Sequence, residues 1–130
     1  MIIFAGMNKL TIYHNARCSK SREALALLTK QGIETEVIEY LKTPLTKKIL
    51  KNLLMKLNLK PIDIIRTNED IFKKKFKGKN FINEEWIQIL IENPTLLQRP
   101  IVVDEYKAII ARPPESLLEF IGRKREEPNP

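Results

Sequence analysis

The chain has 130 residues, of which 43% are apolar and 30% are charged, and its 23 Lys and Arg residues outnumber its 16 Asp and Glu residues by seven. This length suits one domain with a real hydrophobic core, and we expect residues 1–130 to form a single domain. No apolar run approaches the roughly 20 residues that span a bilayer, so no membrane segment is expected. The net charge of +7 favours anionic partners such as oxyanions, phosphate groups or an acidic protein face.

One cysteine and one histidine, Cys18 and His14, limit the chemistry that is open to the chain. A single cysteine excludes an internal disulfide, and one residue of each type is a poor ligand set for zinc, so no metal site is expected. Residues 1–6 are apolar but too short for an export signal, and they lack a basic leading segment. Together these features predict a protein of the reducing cytoplasm.

The first third of the sequence predicts a strand, a helix and a second strand. Lys9 to His14 alternate in polarity, which is typical of a strand, and Ser21 to Lys30 carry apolar residues at helical spacing. Gly32 stands where a helix C-terminal glycine is expected, and Glu36 to Tyr40 read as the second strand. The loop between the first strand and the helix would lie where open α/β sheets bind their ligands.

That loop, Tyr13 to Arg22, contains the candidate nucleophile. Cys18 lies at the start of the predicted helix, with Ser19 and Ser21 as candidate N-cap residues. The positive end of the helix dipole, free backbone N–H groups and neighbouring basic side chains all favour the thiolate, which is the nucleophilic form. The alternative is an inert cysteine that acts as a small core residue, although its polar neighbours argue against burial.

The middle third is predicted to be helical, and we interpret residues 44–92 as a helical insertion packed beside the sheet. Thr43-Pro44 has the composition of a cap and first turn for a long helix with a leucine-rich face. The further predicted elements are a helical turn from Pro61 to about Arg66, a helix over Asn68 to Lys75, and a helix over Glu84 to Glu92 capped by Asn83.

Two lysine-rich stretches, Lys47 to Lys60 and Lys73 to Lys79, carry much of the positive charge. We interpret them as solvated helix faces. Aromatic residues do not alternate regularly with these lysines, as a surface that stacks nucleic-acid bases would require. Nucleic acid is therefore not an expected partner.

The last third predicts an antiparallel hairpin followed by a helix. Ile101 to Asp104 and Lys107 to Ala111 form the two strands, with a tight turn between them. The final helix is predicted over Glu115 to Ile121 and is ended by Gly122. Residues 123–130 are charged and contain proline, so we expect a frayed tail there.

Three motifs follow one another along the chain: His14-Asn15-x-x-Cys18-x-x-Ser21-Arg22, Arg99-Pro100-Ile101-Val102-Val103 and Arg112-Pro113-Pro114-Glu115. In content and order they resemble the motifs of the glutaredoxin-coupled arsenate reductases, and the resemblance extends from about Lys9 to Ile121. It implies an α/β fold with a thioredoxin- or glutaredoxin-like mixed sheet and a helical insertion.

The resemblance also implies a reaction and a role for each matching residue. Arsenate would be reduced to arsenite through a covalent adduct on a single cysteine, with no bound cofactor, with glutathione as co-substrate and with glutaredoxin as the reductant. Cys18 would be the nucleophile, and His14 would help to keep it ionised. The oxyanion ligands would be Arg66, Arg99 and Arg112, supported by Asn15, Ser21, Arg22 and a cis-peptide at Pro100.

The sequence departs from the best-known family pattern in two places. Ala16 stands where proline is usual, and Ser19-Lys20 where Gly-Thr is usual, which we interpret as a Cys-Ser-Lys-Ser subgroup.

Two alternative functions remain: a general glutathione-dependent thiol oxidoreductase and a Spx-type redox regulator that binds RNA polymerase. Such regulators typically carry Cys-x-x-Cys, but Ser21 fills the second position here. Residues 1–6 have no counterpart in the resemblance, so a chain that begins at Met7 is expected to fold.

Overall fold

In this computed structural model the chain is described over residues 9–126, with side chains described as far as Gly122. The elements, in chain order, are β1 (Lys9–His14), α1 (Ser19–Lys30), β2 (Glu34–Glu39), α2 (Lys47–Leu57), a 3-10 turn (Pro61–Ile64), α3 (Asp70–Lys75), α4 (Asn83–Glu92), a second 3-10 turn (Pro94–Leu96), β3 (Ile101–Val103), β4 (Ala108–Ile110) and α5 (Ser116–Glu126). They fall into two compact units. One contains the described residues up to Glu39 and from Arg99 onward, and the other is Tyr40–Gln98.

The first unit is built on a four-stranded mixed sheet in the order β2-β1-β3-β4. Strand β1 runs parallel to β2, as the predicted strand-helix-strand unit requires, and antiparallel to β3, where Ile12 lies opposite Val102. Strands β3 and β4 form the predicted antiparallel hairpin, with Ile101 opposite Ile110. The α/β class predicted from the sequence is therefore observed.

The core of this unit joins the sheet to helices α1 and α5. Leu10 and Ile12 alternate along β1 on one face, and they cluster with Val102 of β3. The remaining members come mainly from the helices and include Ala24, Leu28, Leu117 and Ile121. The sequence elements on either side of Cys18, β1 and α1, are therefore both fixed in the same core.

The Tyr40–Gln98 unit contains helices and 3-10 turns but no named strand among its described residues. Trp86 is 6% exposed; its ring stacks on Phe72 at 6.0 Å and meets Phe81 edge-on at 4.8 Å. On the surface, Glu84 of α4 pairs with Lys47 (3.3 Å) and Lys51 (2.8 Å) of α2. Aromatic packing and ion pairs thus join the elements of this helical unit.

Several helix ends differ from those predicted. Helix α2 is capped by Thr46, whose hydroxyl oxygen accepts the N–H of Ile49, rather than by Thr43. Ile82, not Asn83, is the N-cap of α4. Helix α5 does not end at Gly122 but continues to Glu126.

Some predictions concern residues that the structure does not describe, and one further prediction is not tested by it. Residues 1–6 and 127–130 lie outside the described part of the chain. The grouping of all 130 residues into one domain stays a prediction. No helix in residues 9–126 is long and apolar enough to cross a membrane.

Candidate active site

Cys18 is the N-cap residue of α1, with extended backbone angles of φ −92° and ψ 122°. Its carbonyl accepts the N–H of Arg22 at 3.0 Å, which is the first bond of the helix. Ser19 lies inside the helix and Ser21 one turn in, so the prediction that either serine caps the helix was wrong. The half-buried thiol therefore lies at the positive end of the helix.

Two opposing influences set the acidity of Cys18. Burial acts to raise the pKa of the thiol, but hydrogen bonding from the backbone N–H groups of Ser21 and Lys20 stabilises the thiolate. Arg99 adds a side-chain hydrogen bond and a positive charge, and the net result is a pKa below the ordinary value for cysteine. A larger fraction of Cys18 is therefore thiolate near neutral pH than in a free thiol.

Ser21 holds the loop against the first turn of α1. Its hydroxyl is completely buried, lies 2.6 Å from Nδ1 of His14, and accepts the backbone N–H of Asn15 at 3.0 Å. Asn15 in turn accepts two backbone N–H groups, that of Arg17 on its side chain and that of Cys18 on its carbonyl. Three of the predicted supporting and catalytic residues are thus joined in one network beside Cys18.

His14 is buried, with 6% of its surface exposed. Burial lowers the pKa of His14; the carboxylate of Glu39 opposes this effect and the positive charge of Arg22 adds to it. Burial therefore favours the neutral form of the imidazole in the folded protein. The Ser21 hydroxyl thus bonds both the backbone N–H of Asn15 and Nδ1 of His14, which holds the imidazole ring against the first turn of α1.

Arg99 and Arg112 lie in the same unit as Cys18 and are adjacent to each other. An Nη1–H group of Arg112 donates to the Arg99 carbonyl at 3.2 Å. Nε of Arg99 is buried and has no hydrogen-bond partner in the described part of the chain, so this guanidinium retains donor capacity. The bond between Arg99 and Pro100 is cis, which confirms the prediction made for Pro100, and the bond between Arg112 and Pro113 is cis as well.

Arg66 belongs to the Tyr40–Gln98 unit. Its guanidinium is largely buried and pairs with Glu69, at 3.2 Å from Nε and 3.1 Å from Nη2. Its backbone N–H donates to Leu96, beside a bridge that pairs Ile65 with Leu97. The role of Arg66 as a third oxyanion ligand stays a prediction.

Sequence reasoning missed the part that Lys20 plays, because Lys20 acts through its backbone N–H and not through its side chain. A prediction that began the helix at Ser19 instead of Ser21 would have identified this N–H as one of the unpaired donors of the first turn. No group of three or more His, Cys, Asp or Glu residues in the described chain could hold a metal ion.

The order of these parts matches a known family. The model of the ArsC family matches residues 13–120, from the end of β1 into α5. The chain belongs to the ArsC family. Among the proteins similar to this chain, the uncharacterized protein YfgD of Escherichia coli K12 is 45% identical over 116 residues, which are 88% of this chain and 98% of YfgD. The arsenate reductase of Neisseria meningitidis is 39% identical over 113 residues, which are 85% of this chain and 97% of its own.

A solved structure of a similar protein supports the fold described above. The arsenate reductase from Vibrio cholerae is 41% identical and superimposes with a TM-score of 0.81, over 85% of this chain and 96% of its own. The predicted α/β class, with a thioredoxin-like mixed sheet and helical insertion, is thereby confirmed.

Proposed function

We propose that this protein is an arsenate reductase in which Cys18 is the nucleophile and glutathione and glutaredoxin supply the electrons. The observation that carries the proposal is the position of Cys18 at the N-cap of α1, where two backbone N–H groups and Arg99 lower its pKa. The arsenate reductases of Neisseria meningitidis and Vibrio cholerae support the substrate, since each matches most of this chain. Reduced glutathione is a cytoplasmic thiol, so we place the reaction in the cytoplasm.

Arsenate must be held against a nucleophile that repels it. A thiolate and an oxyanion are both negative, so the site needs fixed positive charge and several donors. Arginine provides both, because it is always charged and presents a planar fork of N–H groups. Arg99 and Arg112 are the ligands proposed in the unit of Cys18, and Arg66 is proposed as the third.

The chemistry begins with attack of the Cys18 thiolate on arsenic(V). A sulfur–arsenic bond forms and one arsenate oxygen leaves as water after it is protonated. The thiolate of glutathione then attacks the Cys18 sulfur, and the electron pair of the sulfur–arsenic bond leaves with arsenic. The products are arsenite, in which arsenic is reduced to arsenic(III), and a mixed disulfide between Cys18 and glutathione.

The second sulfur must come from another molecule because the chain has no second cysteine. A thiolate of glutaredoxin attacks the glutathione sulfur of the mixed disulfide and releases the Cys18 thiolate for another cycle. The cysteine count therefore favours a glutathione-based cycle over one that closes an internal disulfide.

The deciding experiment is arsenite production from arsenate with glutathione and glutaredoxin supplied. We expect turnover by the wild type, none by Cys18→Ser, and one glutathione on Cys18 in the mass of a trapped intermediate. Full multiple turnover with thioredoxin alone and no glutathione would contradict the mechanism. Reduction of a model glutathione disulfide without any arsenate reduction would instead favour a general thiol oxidoreductase.

A further inference from the structure

Arg22 makes a contact that spans the nucleophile. Its Nη1–H group donates to the backbone carbonyl of Ala16 at 2.9 Å. Arg22 lies four residues after Cys18, one helical turn into α1, whereas Ala16 lies two residues before it. The side chain therefore closes a bridge between the first turn of α1 and the loop that leads into Cys18.

The other hydrogen bonds of the loop show what this bridge adds. The backbone N–H groups of Arg17 and Cys18 both donate to Asn15, at 2.9 and 3.0 Å, so they fold the loop onto itself. Asn15 is tied to α1 through the Ser21 hydroxyl. The bond from Arg22 ties the next residue, Ala16, to the same helix.

We propose that Arg22 is a positioning residue whose hydrogen bond to Ala16 holds Cys18 in register with the N–H groups of Lys20 and Ser21. A proline at position 16 would restrain the same segment by another route, because its ring fixes φ near about −65° and reduces the freedom of the loop. Ala16 lacks that restraint, and the hydrogen bond from the Arg22 guanidinium to the Ala16 carbonyl restrains the segment instead.

An alternative explanation is that Arg22 affects the thiol through its positive charge and not through its hydrogen bond to Ala16. Ser21, Lys20 and Arg99 are the groups that lower the pKa of Cys18, whereas the charge of Arg22 acts on His14, whose pKa it lowers. Arg17 provides a matched control: it carries the same charge in the same loop and is exposed, but its contact with Asn15 is made by its backbone N–H. Losing the charge at position 17 leaves the bridge intact.

The test compares Arg22→Met with Arg17→Met, which remove equal charge and keep similar side-chain volume. Cys18 is the only thiol, so the rate of iodoacetamide alkylation against pH reports on it alone. We expect Arg22→Met to move the profile to higher pH and to slow alkylation at pH 6.5 by roughly fivefold, as the loss of one hydrogen bond allows. Arg17→Met should leave the profile unchanged. Equal shifts in the two variants would overturn the proposal in favour of charge.

A second substitution tests the restraint itself. Ala16→Pro in the Arg22→Met background should bring the alkylation profile back to that of the wild type, because proline restrains position 16 without a guanidinium. A double variant that alkylates like Arg22→Met alone would refute the bridge. If Arg22→Met does not fold, a folded double variant with the wild-type profile still supports the proposal, whereas a double variant that also fails to fold overturns it. The alkylation assay needs no arsenate, so it tests the role of Arg22 independently of the proposed arsenate reductase activity.

Discussion

At the scale of single residues, His14 has an unusual environment for a histidine beside a nucleophile, because it is buried and hydrogen-bonded to a hydroxyl. Burial lowers the pKa of His14, so folding favours the neutral imidazole over the protonated one. The sequence predicted that His14 helps to ionise Cys18. In the structure its contact is with Ser21, whose backbone N–H is among the groups that lower the pKa of Cys18. His14 is thus linked to the thiol through Ser21.

This environment predicts how the stability of the protein depends on pH. Below the unfolded pKa of about 6.5 the unfolded chain binds a proton that folded His14 does not yet bind. The free energy of unfolding should therefore decrease as the pH falls below that value, and increase with pH through the same window. Urea unfolding between pH 5 and 7 measures this slope. His14→Asn should lack the histidine part of it, since this is the only histidine in the chain, and an identical slope in the variant would assign the effect to other groups.

The arginines give a second prediction at this scale. If Arg112 binds the oxyanion, Arg112→Ala should weaken arsenate binding by about tenfold or more, the loss expected for a charge-assisted hydrogen bond. Arg112→Lys should recover only part of this, because lysine has no planar fork of donors. Titration calorimetry with arsenate, and with exposed Lys107→Ala as a control for charge, makes the measurement. Wild-type affinity in Arg112→Ala would remove this residue from the site.

The pairing of Arg99 with Arg112 could have been derived from the sequence, whereas the helix caps could not. In the antiparallel hairpin Ile101 lies opposite Ile110. The residue two before Ile101 and the residue two after Ile110 therefore lie at the same end of the hairpin. Arg99 and Arg112 occupy those positions. Arg66 lies outside the sheet, so no register in the sequence predicts its neighbours.

At the scale of elements, the strands were predicted closely and the helix ends were not. Alternating polarity places β1 at Lys9–His14, because Leu10 and Ile12 recur with the period of a strand and both are buried. Caps depend on one side chain in one conformation, and the sequence offers competing choices. Thr43 precedes a proline and has the expected pattern, but it is the Thr46 hydroxyl that accepts a helix N–H, at 3.1 Å.

Gly122 gives a stability prediction for α5. It was expected to end this helix, but it lies inside it without a positive φ, and a Cβ there would meet no heavy atom within 4 Å. Gly122→Ala should therefore stabilise the protein by about 0.5 to 1 kcal/mol, since alanine loses less backbone entropy in a helix.

Gly32 is the matched control for this substitution. Space for a Cβ is also free there, but φ is +72°, a conformation that alanine adopts only with strain. Gly32→Ala should lower the melting temperature and Gly122→Ala should raise it. A shift of the same sign in both variants would show that open space, rather than backbone conformation, decides the effect.

At the scale of the whole molecule, positive charge is concentrated in one unit. The Tyr40–Gln98 unit has twelve Lys and Arg residues against six Asp and Glu residues, which accounts for six of the seven net charges of the chain. The five lysines of the stretch 73–79 are exposed, as the sequence predicted for a solvated face. Within the unit of Cys18, the positive charge of Arg99 lowers the pKa of the thiol.

The prediction that residues 1–130 form one domain can be tested because each unit contains a unique probe. Trp86 is the only tryptophan and is buried in the Tyr40–Gln98 unit, and His14 is the only histidine and is buried in the other. If the chain is one cooperative domain, Trp86 fluorescence and the NMR signal of His14 should change at the same urea concentration. Two separate midpoints would show that the units unfold independently.

A destabilising substitution in one unit makes this test stricter. Phe72 is buried and stacks on Trp86, so Phe72→Ala should remove about 3 kcal/mol or more from the packing of the Tyr40–Gln98 unit. In one cooperative domain this loss lowers the midpoint reported by His14 as much as that reported by Trp86, although His14 belongs to the other unit. A His14 midpoint that stays at its wild-type value while the Trp86 midpoint falls would divide the chain into two domains.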